Sequence, residues 1–401
     1  MTIGHHRKFP IVAIFKFFAI LILLTSCIER PDIFSKKIDK IKTSSTSFQN
    51  IHGWNEDSHG EALKALKLSC KLIVNKSFEN NQETILGIKM KSWHTSCLNA
   101  LETSEHNNLA AKLFFEKWFI PHIISDNKSV FGLFTGYYEP EILGSLSRNT
   151  EFNIPLYMPP DNLINIDLHS FSNEFPKQTL IGRIKGRKVI PYYTRSEINE
   201  GVDELKGYEL VWLKSSIDAF FLHIQGSGRI ILRDGSKRRI GYAGRNGHPY
   251  FAIGKDLIKS GEINKKDMSM QRIREWLSNN PSLSHTLMNK NRSYIFFKWI
   301  DNSVHNNGPI GAQGIPLTAG RSLAVDRDFI PLGLPLWLET TIPNGGGQNK
   351  KKIDRLVISQ DTGSAIKGIV RGDLFIGTGK DSGEIAGLMN EKGRYWILLP
   401  K

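Results

Sequence analysis

The 401-residue sequence predicts an α+β fold, mainly β, with at least one barrel. Two observations carry this. Helical periodicity is confined to the region before about residue 130, with one later island. From about Phe131 to the C-terminus the chain is a succession of short β-type runs broken by Gly, Pro and Asn. Helices first and many short strands afterwards fit an α+β architecture whose strands close on themselves. No internal repeat is present.

The N-terminus reads as an export signal. "MTIGHHRKFP" carries Arg7 and Lys8, and Ile11 to Leu24 is apolar apart from Lys16. That run is shorter than the roughly 20 residues of a spanning helix and fits the apolar core of a secretory signal. It ends in "LLTSC", which resembles a bacterial lipoprotein box with Cys27 as the lipidated first residue of the mature chain. A signal anchor with an incidental cysteine is the other reading. Several acyl chains, at ~0.8 kcal/mol per buried CH₂, tether durably. Ile28, where inner-membrane retention would want Asp, favours a lipid anchor in the outer membrane, facing the periplasm. Residues 1–26 are thus expected to be signal peptide, and the polar 27–50 segment a tether.

Next come two helical stripes. "EALKALKLSCKLIV" places Leu63, Leu66 and Ile73 on one face, and "NLAAKLFFEKWFIPHI" does the same with Leu109, Leu113 and Trp118. Both read as core. Cys70 and Cys97 either pair as a disulfide, which an oxidising compartment permits, or lie buried as thiols. The β runs follow: "VFGLFTGYYEP", "FFLHIQGSGRIIL" and "RDGSKRRIGYAG", with His223 mid-strand and His248 in a turn. "DMSMQRIREWLSNN" is the helical island, capped by Asp267 or Ser269. Strands resume with "SYIFFKW", "RSLAVDRDFIPLG", "LPLWLE", "IDRLVISQD", "GIVRGDLFIG" and "GRYWILLP", and "IPNGGGQNKKK" is a surface loop.

Lys and Arg number 53 against 39 Asp and Glu, a formal charge of +14. In an exported chain with scattered cations this is no nucleic-acid footprint. It is a solvated surface, or one attracted to an anionic envelope polymer. With 40% hydrophobic residues, the mature chain can bury one or two substantial cores.

"ISQDTGSAIKGIVRGDLFIGTGKDSGEIAG" holds the chemistry-bearing residues. Its Gly377, Gly379 and Gly383 miss the dinucleotide spacing by one residue, the acid expected about 20 residues on is absent, and no Gly-Lys-Ser/Thr closes a Walker loop. Turns between barrel strands account for the glycines. No H-x-x-x-H pair occurs among the 12 histidines, and a calcium loop needs more carboxylates at closer spacing; no metal or cofactor is expected. Asp326, Asp361 and Asp373 each border an apolar β run, where a carboxyl group serves either as turn chemistry or as a rigidly held acid.

"GLFTGYYEP", "FFLHIQGSGRI", "GYAGRNGHPYFAIGKDLI", "DMSMQRIREWL", "FFKW", "GRSLAVDRDFIPLG" and "DTGSAIKGIVRGDLFIGTG" together resemble the membrane-bound lytic murein transglycosylase A family, collinearly from about Gly132 to Trp396. The resemblance implies a double-psi β-barrel from residues 51–136 and 299–401, with a 3D region at about 318–396. A smaller β domain is inserted at 137–298, with a groove between the two. It implies an exolytic transglycosylase that cleaves the β-1,4 bond between N-acetylmuramic acid and N-acetylglucosamine of peptidoglycan, leaving 1,6-anhydro ends. Murein synthases become candidate partners. The family's catalytic Asp falls on Asp373, with Asp361 as its catalytic neighbour in the cleft and Asp326, the third aspartate, as a candidate substrate contact. Gln225 and Ser227 are candidates for hydrogen bonds to sugar, Tyr137, Tyr138 and Phe297 for stacking on it, and Lys298 for a substrate carboxylate. A departure, "VRGDLFIG" around the acid, keeps Asp373 in register.

That chemistry needs one good acid. A hydrolase uses two carboxyl groups, whereas in anhydro formation the muramic 6-hydroxyl attacks its own C1. Asp373 would protonate the leaving oxygen and then accept the 6-hydroxyl proton, which requires its pKa to rise. Two rival readings stand beside it: a glycoside hydrolase using Asp361 as second acid, and a non-catalytic peptidoglycan-binding lipoprotein.

Overall fold

The computed structural model describes residues 41–79, 82–84, 86–126, 129–301, 308–344 and 349–401. The predicted signal peptide, Cys27 and the first part of the predicted tether lie outside these residues. Among the described residues no helix is long and apolar enough to cross a membrane.

Three helices open the fold: His59–Ile73, Met90–Glu102 and Asn108–Trp118. Leu63, Leu66 and Ile73 are buried as their spacing predicts, and a Cys70–Cys97 disulfide joins the first two helices. The third helix corrects the sequence reading. Leu109 and Leu113 are 63% and 53% exposed, and the helix packs through Ala111, Phe114 and Phe115 instead. Two candidate stripes offset by one or two residues competed, and the one carrying two aromatic rings buries more apolar area. The predicted tether is shorter than expected as well. Lys42–Ser45 pairs antiparallel with His122–Ser125, covering an otherwise open strand edge, and Phe48 is buried against Trp54.

Six strands then close a ring. Gly132–Glu139 runs parallel to Arg371–Thr378, which pairs antiparallel with Ser322–Val325, and that strand runs parallel to Lys350–Asp361. Lys350–Asp361 pairs antiparallel with Pro335–Pro343, and Pro335–Pro343 with Asn390–Pro400, which returns to Gly132–Glu139. The expected barrel is therefore present. Phe134, Leu323, Leu374 and Tyr395 fill its core, continuous with the N-terminal helices.

Between Glu139 and Trp299 the chain leaves the barrel and builds a six-stranded sheet, a three-stranded sheet and several helices. One helix, Ser216–Gln225, overturns the β reading of "FFLHIQG" and places His223 on a helix. Ser215 caps it by accepting from the Asp218 amide, and Gly226, at φ 78°, stops it. Burial of Phe220, Phe221 and Leu222 overrides the β propensity of the aromatics. In the later helix Met270–Asn279, Ser269 rather than Asp267 is the cap.

Barrel and insert are clamped where the chain crosses. Glu139 is fully buried; its carboxylate accepts from Arg239 and Arg229 of the insert and from Thr378 of the barrel.

Candidate active site

Register decides where the acids stand. Ala324 pairs with Asp373 on one side and with Asp361 on the other. The two aspartates thus flank one strand at the same level, with backbones roughly 9–10 Å apart at twice the interstrand spacing. Between them Ala324 offers only a methyl group, and the Asp361 charge is felt at Asp373. Gly372, immediately before Asp373, is required sterically, since a β-carbon there would lie 2.9 Å from two atoms of the Phe134 ring.

The acids have different surroundings. Asp361 is half-buried and loaded with donors: Oδ1 accepts from the amides of Ala312 at 2.8 Å and Thr362 at 2.9 Å, and Oδ2 from the Tyr137 hydroxyl at 2.8 Å. Burial still raises its pKa, with these bonds opposing. Tyr137 is held neutral by burial and by the adjacent Asp361 charge, so it remains a donor.

Asp373 has one protein donor among the described residues, the Thr135 hydroxyl at 2.6 Å from Oδ1. That hydroxyl is itself oriented, because Arg371 Nη2 donates to it at 2.8 Å. The Thr135 proton must then point at Asp373. Burial drives the Asp373 pKa up to about 6, Arg371 and Thr135 pull it back, and the Asp361 charge adds to the rise. Near neutral pH the carboxyl group exchanges its proton, and with Oδ1 engaged by Thr135 the proton belongs on Oδ2. A carboxyl group so placed can give a proton to a leaving oxygen and take one back.

Of the other sequence-predicted residues, Asp326, Phe297 and Tyr138 are buried. Asp326 is 1% exposed, and its carboxylate accepts from the Gly368 amide and the Lys367 ammonium, so it braces the loop after Asp361 from beneath instead of lying open to a ligand. Lys367 is thereby committed to Asp326, while Arg371 is the cation acting on Asp373. Phe297 is fully buried, stacked against His223 inside the insert, where no sugar reaches. Tyr138 is also core: Gly383 leaves room for its ring, and its amide donates to Gln225 Oε1 at 3.1 Å. That bond gives Gln225 a structural duty at the joint between barrel and insert. Ser227 and Lys298 fall in one cross-strand row with Gly241 between them. The half-buried Tyr137 faces Asp361 and lies 5.3 Å from the Phe375 ring.

Thr135 and Ala312 were missed by the sequence reading. Thr135 sits inside a quoted motif, but only strand register shows that it faces Asp373; Ala312 contributes a backbone amide, which no side-chain pattern announces. Among the described residues no group of three or more His, Cys, Asp or Glu is placed to hold a metal ion.

The site is thus a closed six-stranded barrel with a β insert, carrying two unequally hydrogen-bonded carboxyl groups on either side of one strand. Comparison narrows the class. Residues 133–298 match the model of the MltA specific insert domain and residues 321–399 that of the 3D domain. The membrane-bound lytic murein transglycosylase A of Escherichia coli (strain K12) is 36% identical over 269 residues, 66% of this chain and 65% of that protein's length. The crystal structure of a membrane-bound lytic murein transglycosylase from Agrobacterium tumefaciens superposes with a TM-score of 0.78 at 33% identity, covering 90% of this chain and 98% of that one. The E. coli MltA structure with bound chitohexaose gives 0.63 at 27% identity, over 88% and 91% of the two chains. The chain belongs to the membrane-bound lytic murein transglycosylase A family.

Proposed function

We propose that this chain is an exolytic peptidoglycan transglycosylase: it cleaves the β-1,4 bond between N-acetylmuramic acid and N-acetylglucosamine and leaves 1,6-anhydromuramic ends, with Asp373 as its single acid and base. The observation that carries the proposal is the Asp373 carboxyl group, protonable at about pH 6 and aimed by the Arg371–Thr135 pair. The protonated Oδ2 donates to the glycosidic oxygen as the C1–O bond breaks. The resulting carboxylate takes the proton of the muramic 6-hydroxyl as that oxygen bonds to C1, and the acid is regenerated without water. Intramolecular attack needs no second base.

Asp361 supports this reading over a two-acid hydrolase. Both its oxygens are engaged by donors, which suits a fixed charge that tunes Asp373 and opposes a nucleophile or a base for water. The relative that holds chitohexaose supports a β-1,4-linked amino-sugar substrate. The lipoprotein-like "LLTSC" supports a lipid anchor on Cys27, in the outer membrane and facing the periplasm.

The test is a digest of purified sacculi by the wild type and by Asp373→Asn, read by mass spectrometry. The wild type should release anhydro products, lighter by one water than hydrolysed ones, and the variant should fold and release almost none. Reducing muramic ends from the wild type would establish hydrolysis; wild-type rates from the variant would remove Asp373 from the mechanism.

A further inference from the structure

The insert carries a three-stranded antiparallel sheet, Ile164–Asp167, Thr179–Lys185 and Lys188–Pro191, that takes no part in the site. Its register sorts the side chains. Ile164 and Pro191 pair with Gly182, Ile166 with Leu180, and Ile184 with Val189, so these residues share one face, which carries no polar side chain. It is nonetheless the open face: Leu180, Ile184 and Val189 are 46%, 63% and 51% exposed. The opposite face is covered only along its middle, at Ile181, Arg183 and Ile190, while the polar Asn165, Asp167, Thr179, Lys185 and Lys188 around them are exposed. There Gly247 leaves room for Ile181, and the Arg183 guanidinium lies 3.9 Å from the centre of the Tyr193 ring. An antiparallel sheet with one solvated face normally puts polar residues on it, and a contiguous apolar face marks an interaction surface.

Chemistry selects the occupant. A glycan would need hydrogen-bonding groups or aromatic rings, and this face has only aliphatic side chains. The turn at one end, Lys185-Gly186-Arg187-Lys188, projects three exposed cations with no acid among them, and the loop at the other end exposes Phe171 and Phe175. An aliphatic face bordered by cations and exposed aromatics suits the interface of an anionic bilayer. We propose that this sheet is a second membrane contact, lying with its aliphatic face in the headgroup region of an anionic lipid leaflet. The proposal rests on the lipid anchor at Cys27, from which the 15 residues to Lys42 can extend at most about 50 Å and hold the folded chain near that surface.

The test uses the full lipidated chain carrying Ile184→Cys, labelled with an environment-sensitive fluorophore, on mixed phosphatidylethanolamine–phosphatidylglycerol vesicles. Lys185→Cys, one residue on and on the opposite face, is the control. Mass spectrometry first counts labels and acyl chains, so an unlipidated Cys27 is recognised before any vesicle measurement and the anchor is judged separately. The label at 184 should brighten severalfold, shift to the blue and be quenched by brominated lipid, with a much smaller response at 185. No change at 184 on vesicles that carry the anchored chain would overturn the proposal. So would a change at 184 that appears without vesicles and grows with protein concentration, which would assign the face to a second copy.

Discussion

Replacing Thr135 by Val keeps the shape of the side chain and removes one hydroxyl, which breaks the 2.6 Å bond to Asp373 Oδ1 together with the bond that hydroxyl accepts from Arg371. A hydrogen bond to a charged group contributes about 1.5–3 kcal/mol, and one pKa unit corresponds to about 1.4 kcal/mol. The bond favours the carboxylate, so its loss should raise the Asp373 pKa from about 6 by roughly one unit, taking the lower limit because the site is only half-buried. A general acid works while protonated, so the rate falls as pH rises through that pKa. Thr135→Val should therefore move the alkaline limb of the pH–rate profile upward by about one unit. Its rate at the optimum should also drop, because the proton is no longer confined to Oδ2. Thr135→Ser, which restores the hydroxyl, should return the limb to its wild-type position. The assay is release of soluble muropeptides from sacculi across pH 4.5–9, about two units either side of the expected limb, with folding checked by circular dichroism. A limb that stays in place in Thr135→Val, with activity lost uniformly, would show that Thr135 merely packs and that the Arg371–Thr135 relay does not set the acid.

Asp373→Asn should stabilise the fold at neutral pH. The raised pKa means that the native state holds a proton the unfolded chain releases between pH 4 and 6, so this residue's contribution is full below about 4 and lost as pH rises through about 6. The gain, at most about 3 kcal/mol at pH 7.5 and vanishing near pH 4, is measurable by urea unfolding at the two pH values. Glu139→Gln should lower stability by roughly 3–5 kcal/mol, since it strips the charge from a buried clamp between two arginines, and the denaturation midpoint reads this. Cys70→Ser with Cys97→Ser should cost about 3.5 kcal/mol for a separation of 27 residues, read in the same way.

What was legible in the sequence had a local period or an explicit motif. Leu63, Leu66 and Ile73 follow a helical repeat, and Asp361 and Asp373 stand in a long motif that survives inspection by eye. What was not legible depends on partners distant along the chain. The Leu109 stripe lost to its neighbour because Phe114 and Phe115 found a core to enter, a tertiary fact. Phe297 and Asp326 carry side chains suited to a binding site, yet one lies on a strand that points it into the insert core and the other, just past the end of Ser322–Val325, lies beneath a loop. The Glu139 clamp joins residues about a hundred positions apart, and nothing in its immediate sequence distinguishes that glutamate from a solvated one.

The barrel topology itself explains how two like acids acquire unlike surroundings. Ser322–Val325 lies between a parallel and an antiparallel neighbour, so each acid enters the same level from a different strand and meets a different set of donors. Asp361 ends its strand, where the chain turns and free amides are within reach; Ala312 and Thr362 supply them. Asp373 sits inside a strand whose amides are committed to sheet pairing, which leaves it only side-chain help, and the adjacent parallel strand offers Thr135. Amide donors hold a charge in place, whereas a single hydroxyl governed by an arginine leaves a carboxyl group poised between its two states. The Glu139 clamp lies farther along the strand that carries Thr135 and also grips Thr378 on the strand that carries Asp373. The insert, through Arg229 and Arg239, thus holds together the strands that carry Thr135 and Asp373, and the domain that extends the barrel also keeps these two side chains in register.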